Sequence, residues 1–284
     1  MSKGTKAHSD RYLVMKSLLK NKLLLVFVGI TLLIVTAGVL APIVAPCDPY
    51  YEEPVNRLLA PSAEHLFGTD ILGRDVFSRV LYGIRLSLFV GLLTSLISTV
   101  VGIILGLLAG YFTKLDAIIM RVCEAFSTIP VFLMAITMMT LWGISTRNVI
   151  ISMAIVYAPL VITVTRGVSL SIREQTYIEA IRAAGATWPR IVFGHMLPNV
   201  VSPVIVQMTY IFASSMLVEA SLSFLGAGIP LPSPSLGNIL NEAKTVIFQS
   251  WWLVVFPGLC LIFIMLGINV IGDAIRDVMD PLSN

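Results

Sequence analysis

Residues 86–110 read LSLFVGLLTSLISTVVGIILGLLAG, a stretch without a charged side chain. A helix that crosses the hydrocarbon core of a bilayer needs about 20 mostly apolar residues. Lipid offers backbone groups no hydrogen-bond partner, so such a stretch must be helical. The whole chain is 57% hydrophobic and 12% charged, whereas soluble domains average about 25% charged residues. The composition therefore predicts a membrane protein, and the small net charge of +3 gives no sign of nucleic-acid binding.

Six stretches of the chain have this apolar character. The first follows a lysine-rich N-terminal segment and is longer than the hydrophobic region of a cleaved signal peptide, so we expect it to be retained. The sequence predicts an all-α, polytopic membrane protein with about six transmembrane helices, at about 23–45, 86–112, 125–145, 148–166, 199–222 and 251–272.

Basic residues predict the orientation of the chain, because cytoplasmic loops are enriched in Lys and Arg. With the N-terminus inside, thirteen of the 19 Lys and Arg residues fall on the inner side. We therefore expect both termini in the cytoplasm. The predicted parts are a cytoplasmic tail at 1–22, a first helix at 23–45, an extracytoplasmic segment at 46–85 and a core domain at 86–284.

The inner stretch 167–198 is too polar to be a span. Gln175 to Ala184 contains good helix formers, and Gly185 is a typical helix stop. Thr187 can cap a second helix with Pro189 in its first turn. We expect two short helices joined at Gly185. They provide either a surface that another protein approaches closely or an amphipathic linker that lies on the bilayer.

This loop resembles the EAA loop of ATP-binding-cassette importer permeases. The matching positions are Glu179, Ala180, Gly185, Leu197 and Pro198, while Ile181 and His195 depart from the pattern. The resemblance implies that the loop docks as a coupling helix into a separate ATPase subunit. The small side chain of Ala183 would also allow close approach there.

Three more segments resemble the dipeptide, oligopeptide and nickel permeases of bacterial inner membranes. They are 67–88, 221–237 (with Leu236 where a tryptophan is usual) and 269–281. The resemblance implies a type I ABC importer permease fold and a dipeptide "C"-type subunit. It also implies a heterodimer with a second permease, two ATPase subunits that bind the ATP, and an extracytoplasmic substrate-binding protein. The cargo stays open among dipeptides, oligopeptides, glutathione and nickel chelates.

Two features inside the spans are further candidates. Gly102, Gly106 and Gly110 have the spacing that lets helix backbones approach closely, which favours helix packing over a role in gating. Glu219 is an acid near the outer end of the fifth span. Because a charge facing lipid is costly, we expect it to contact the translocation pathway or a partner subunit.

Several classes of function lack the residues that they need. The chain has no phosphate-binding loop, no cluster of His or Cys and no catalytic motif, so we expect no cofactor, no metal and no enzymatic activity. A stand-alone secondary transporter or channel would need coupling-ion acids inside its spans. Only Glu124 and Glu219 are candidates, and both lie near span ends.

Overall fold

The computed structural model describes residues 22–279, which are mostly helical apart from the outer stretch 45–75 and the outer stretches on both sides of the helix Leu236–Ala243. No β-strand occurs among these residues, although an isolated bridge joins Thr69 and Asp75. A short 3-10 helix covers Pro54–Asn56 and a π-helical segment covers Val192–Met196. The α-helices are Lys22–Val39 (α1), Ala41–Val44 (α2), Val76–Tyr111 (α3), Thr113–Ser127 (α4), Val131–Trp142 (α5), Thr146–Arg173 (α6), Thr176–Ala183 (α7), Trp188–Ile191 (α8), Leu197–Phe224 (α9), Leu236–Ala243 (α10) and Trp252–Met279 (α11).

The all-α membrane fold is confirmed. Four helical stretches of the described chain are long and apolar enough to cross a bilayer: α3, α6, the stretch from α8 through α9, and α11. The bent pair α4–α5 makes a fifth if it is counted as one span. The predicted number of about six is reached only if the shorter apolar helix Leu25–Val39 is counted as well. The predicted cytoplasmic tail at 1–22 lies outside the described residues, apart from Lys22.

The second span starts earlier than the sequence predicts. Its helix begins at Val76 rather than near residue 86, so the end of the outer segment 46–85 is already helical. The Asp75 carboxylate accepts a hydrogen bond from the backbone N–H of Ser78 (2.8 Å). This contact caps the helix, because the first N–H groups of a helix lack partners within it.

The predicted third span, 125–145, is wrong as a single straight helix. α4 and α5 meet at an angle of 93° across the break between Ser127 and Val131. Pro130 disfavours helical geometry at Ile129, which explains why the helix stops there. The second, fourth, fifth and sixth predicted spans each fall on a single helix, whereas the first is interrupted at Leu40, before α2.

Two large apolar clusters form most of the core of the described residues, and a small third cluster contains Cys123, Ala158 and Ile162. One contains residues of α3 and α6 together with residues of the inner loop, including Ile178, Ile191 and Met196. The other joins the beginning of α3 to α10 and α11. The inner loop is therefore continuous with the packing between α3 and α6, and the outer segments share a separate core.

Candidate coupling and translocation site

The inner loop has the two-helix shape that its sequence predicts. α7 ends at Ala183, and Gly185 follows with φ +86°, a conformation that residues with a side chain rarely adopt. α8 then begins at Trp188, with Pro189 in its first turn. Thr187 occupies the N-cap position, but its side chain makes no capping hydrogen bond. The sharp turn at Gly185 thus sets the angle between α7 and the chain that follows.

α7 presents one face to its surroundings and the other to the core. Glu179, Ala180 and Ala183 are exposed, and so is Gly185 at the end of the helix. Ile178, on the opposite face, is 0% exposed and packs in the core cluster. The small exposed side chains would let a second protein surface approach the helix, while Ile178 fixes the helix to the bundle.

Aromatic and cationic contacts connect the loop to the inner end of α3. The Arg182 guanidinium lies 5.7 Å from the ring centroid of Tyr111. The rings of Phe112 and Trp188 meet edge to face at 5.6 Å. Arg173, at the end of α6, donates to the carbonyl of Gly110 (3.2 Å). These contacts place both loop helices against the end of one span.

The second loop helix is continuous with the fifth span. α8 passes through the π-helical segment into α9, so a single helical stretch runs from Trp188 to Phe224. Leu197 is half-buried and Pro198 is exposed at the start of α9. The Leu-Pro pair therefore does not separate the loop from the span. Proline is accepted in the first turn of a helix, where its missing N–H costs little.

Comparisons with known proteins agree with this geometry. The family model described as "Binding-protein-dependent transport system inner membrane component" matches residues 98–283. The chain belongs to this family. Membership makes the permease a multi-pass inner membrane protein, and it implies ATPase and substrate-binding partners. Proteins of this family are transport components and not themselves enzymes.

Relatives of the permease cover most of its length. It is 45% identical to a probable peptide ABC transporter permease protein of Sinorhizobium fredii, over 83% of this chain and 81% of that protein. It is 40% identical to the dipeptide transport system permease protein DppC of Alkalihalophilus pseudofirmus, over 94% of this chain and 88% of that protein.

A solved structure shows the same fold. The permease resembles a chain of the inward-facing MetNI methionine ABC transporter with a TM-score of 0.55. The match covers 69% of the permease and 96% of that chain, at 20% sequence identity. The expected type I ABC importer permease fold is therefore confirmed, and at this identity the likeness concerns the fold alone.

The three glycines of α3 face α6. A Cβ atom on Gly102, Gly106 or Gly110 would lie less than 3.0 Å from the side chain of Val161, Thr165 or Ser169, respectively. The residue numbers increase in the same direction along both helices, so α3 and α6 run parallel. The three glycines mark the side on which the two helices approach each other closely. Only glycine fits there without displacing α6.

Glu219, which was expected at the translocation pathway or at a partner subunit, lies deep inside the described chain. Its side chain is 0% exposed. Its carboxylate accepts hydrogen bonds from the hydroxyls of Ser87 (2.7 Å) and Ser223 (2.8 Å). The Ser223 hydroxyl in turn accepts from the N–H of Ile229 (3.1 Å). Through its hydrogen bonds to these two hydroxyls, the acid therefore joins α3, α9 and the following outer loop within this subunit.

Sequence reasoning missed a buried charge cluster in the outer segment. Arg79 is 0% exposed and bonds to Asp70 and to Glu242 of α10, the latter through Nη2 and Oε1 at 3.0 Å. Arg74 contacts the same two acids, at 2.7 Å and 2.8 Å. The only signal was the recurrence of Arg and Asp in 70–79, and nothing local pointed to Glu242.

A second ion pair joins the inner ends of two helices. Asp116 of α4 forms a bidentate pair with Arg166 of α6, in which Nη2 and Oδ2 are 2.7 Å apart. Arg121 and Glu124 are exposed. Among the described residues, no group of three or more His, Cys, Asp or Glu could hold a metal ion.

Proposed function

We propose that this permease forms half of the translocation pathway of an ATP-driven importer of di- or oligopeptides. A second, similar permease subunit would complete the pathway, and two ATPase subunits would dock on the cytoplasmic side. An extracytoplasmic binding protein would deliver the peptide. The names of the relatives, which are peptide and dipeptide permeases, support this cargo.

The observation that carries the proposal is the arrangement of the inner loop. α7 offers an exposed face of small residues around Glu179, while its buried side is anchored through Ile178. Beyond the turn at Gly185, α8 continues without interruption into α9. An ATPase that pushes on α7 would therefore move α9 through this turn and α8, and closure on ATP binding would shift the permease between its conformations.

The orientation of the chain in the membrane follows from the proposed docking on ATPase subunits. Docking on cytoplasmic ATPases requires the inner loop 167–198 to lie in the cytoplasm. The excess of Lys and Arg on that side supports this orientation, with both termini in the cytoplasm.

The decisive experiment places bulk at Gly185. The assembled transporter is reconstituted with its ATPases and binding protein, and ATP-dependent uptake of a labelled dipeptide is measured. We expect Gly185→Trp to abolish uptake and to leave ATP hydrolysis uncoupled from the binding protein. Gly143→Trp is the matched control, because Gly143 also has a positive φ (84° against 86°) and open space around it. Unchanged uptake by Gly185→Trp would contradict the proposal.

Two further measurements distinguish this proposal from a stand-alone transporter and from an importer of another cargo. Uptake by this chain alone in liposomes would favour a stand-alone transporter. Competition by unlabelled peptides, glutathione or nickel chelates identifies the cargo, and we expect only peptides to compete.

A further inference from the structure

An apolar groove separates the inner half of α3 from the helical stretch that begins at α8. Its volume is about 440 Å³, and all nine residues that line it are aliphatic or aromatic. Leu107 and Val192 are buried at its floor, whereas Ile104 and Phe193 at its sides are 53% and 59% exposed. Pockets of this size hold small organic ligands. We call this feature the inner groove.

The inner groove narrows toward the outer side, because α3 and α9 converge there. A Cβ atom on Gly91 would lie 2.9 Å from Met216 and 3.0 Å from Phe212 of α9. The groove is open from Val100 to Leu108, which is about 12 Å along α3. One leaflet of the hydrocarbon core is about 15 Å thick. The groove therefore has the depth of a single leaflet, and a straight helix that crosses both leaflets would not follow it.

Amphipathic aromatic side chains stand at the inner end of the groove. Trp188 lines the groove, is 44% exposed and contacts the ring of Phe112 edge to face at 5.6 Å. The rings of Phe112 and Tyr111 meet at 4.9 Å. Trp and Tyr are enriched at the membrane–water interface, where the lipid headgroups lie. The groove thus opens at the level of the headgroups and extends from there into the region of the acyl chains.

Basic side chains surround the same end of the groove. The Arg182 guanidinium lies 5.7 Å from the ring centroid of Tyr111. Arg173 donates to the carbonyl of Gly110, which follows the lining residues of α3 by two positions. Lys114 is exposed just beyond the end of α3. Three cations are therefore placed where the groove meets the headgroups.

Acids of the inner side do not neutralise these three cations in the described part of the chain. Asp116 is paired with Arg166, and Glu174 and Glu179, which are exposed, form no ion pair. Anionic lipids give the cytoplasmic surface of a membrane a negative potential that attracts Lys and Arg. The cations are therefore available for a headgroup phosphate.

We infer that the inner groove binds an anionic phospholipid of the cytoplasmic leaflet, with the headgroup phosphate beside Lys114, Arg173 and Arg182. One acyl chain lies between α3 and the π-helical segment, against a lining that offers water no hydrogen-bond partner. Arg pairs with phosphate oxygens bidentately. The site goes beyond the proposed function, and only its assignment to the cytoplasmic leaflet rests on the proposed orientation.

The π-helical segment connects this site to the movement of the inner loop. Val192 and Phe193 belong to the π-helical turn between α8 and α9. Such turns are rare and often occur at functional sites. An acyl chain packed against this turn supports it from the side of α3. Bound lipid therefore stiffens the joint between α8 and α9.

Photo-crosslinking in the assembled transporter tests the site. The transporter with its ATPase subunits is placed in nanodiscs that contain a phosphatidylglycerol or a phosphatidylcholine with a diazirine in one acyl chain, and the adducts are mapped by mass spectrometry. Because three cations attract the anionic headgroup, we expect phosphatidylglycerol to label 100–108 and 188–197 at least about fivefold more than phosphatidylcholine does. The exposed aliphatic residues Leu259, Ile262 and Leu266 of α11 are the internal control, and both probes should label them equally.

Two variants identify the parts of the site. Ile104→Trp fills the groove and should abolish its labelling, whereas Val101→Trp should not, since Val101 is exposed on the same helix outside the groove. Lys114→Gln should reduce the preference for phosphatidylglycerol. Equal labelling of the groove by the two probes would overturn the inference, and so would labelling that survives Ile104→Trp. Cross-linking of p-benzoylphenylalanine at Phe193 to the second permease instead of lipid would overturn it as well.

A transport measurement tests the effect on the joint and rests on the proposed function. Peptide uptake per ATP hydrolysed should be about fivefold higher in nanodiscs with phosphatidylglycerol than in phosphatidylcholine alone, within the usual range of coupling between two sites. If the transporter takes up no peptide in either lipid, the proposed function fails, while the adducts still decide whether the lipid binds. If uptake per ATP is the same in both lipids, the stiffening of the joint is overturned.

Discussion

A Cβ atom on Gly106 would lie 2.5 Å from the Cβ atom of Thr165. Gly106 is the middle of three glycines spaced four residues apart, and each one faces a residue of α6 with the same spacing. α3 and α6 therefore pack closely over more than two helical turns, and the inner loop rests on the end of that pair.

Adding bulk at Gly106 should separate the two helices. For Gly106→Val we expect a loss of stability of about 1–3 kcal/mol, the usual cost of overpacking. The measurement is the melting temperature of the purified complex in detergent. Gly167→Val is the control, since Gly167 is also helical but has nothing within 4 Å. Equal melting temperatures for the two variants would contradict the close packing.

Removing the positive charge of Arg79 should destabilise the outer segment. Arg79→Met leaves Asp70 and Glu242 with Arg74 as their remaining partner, and breaking a buried pair costs about 3–5 kcal/mol. We expect a lower melting temperature and faster proteolysis of residues 46–75. The exposed Arg57→Met is the control.

A second substitution identifies the cause. Arg79→Met combined with Glu242→Gln should recover part of the loss, because the one remaining cation, Arg74, then faces a single carboxylate, that of Asp70. A double variant that is less stable by the full sum of the single effects would count against the charge cluster.

Shortening Ile178 should loosen α7 without changing its exposed face. A fully buried Ile→Ala change costs about 2–5 kcal/mol through lost contacts and a cavity. We expect ATPase subunits still to bind, but peptide uptake per ATP hydrolysed to fall. Ala184→Ser, at an exposed position beside α7, should change neither quantity. Normal coupling in Ile178→Ala would show that anchoring α7 is unimportant.

The hydrogen bonds of Glu219 predict a difference between two substitutions. Glu219→Ala leaves the hydroxyls of Ser87 and Ser223 without their acceptor, at a cost of about 1–3 kcal/mol. Glu219→Gln keeps an acceptor oxygen and a similar shape, so it should be close to the native protein. Thermal melting of both variants tests this. A Gln variant as unstable as the Ala variant would show that the charge itself is required.

Local signals in the sequence accounted for much of the fold. Long apolar stretches gave the helices, since lipid permits no other backbone arrangement. Gly185 gave the turn between the loop helices, because few other residues adopt a positive φ. Pro130 could have revealed the break between α4 and α5, but its apolar neighbours hid it within a span-like stretch.

Contacts between residues far apart in the chain could not be predicted from the sequence. Glu219 meets a serine 132 positions earlier, and Arg79 meets an acid 163 positions later. No local pattern specifies such pairs, because they depend on how the helices are arranged around one another.

The continuous helical stretch from Trp188 to Phe224 can transmit a rotation from the inner side of the membrane to the outer side. At 1.5 Å per residue, its 37 residues span about 55 Å, more than the thickness of the hydrocarbon core. Its beginning forms part of the inner loop, and its far half carries Glu219. A tilt of about 5° at the cytoplasmic end would sweep the far end by about 5 Å over that length. A small rotation of this helical stretch on the cytoplasmic side would thus produce a larger displacement of its end on the outer side.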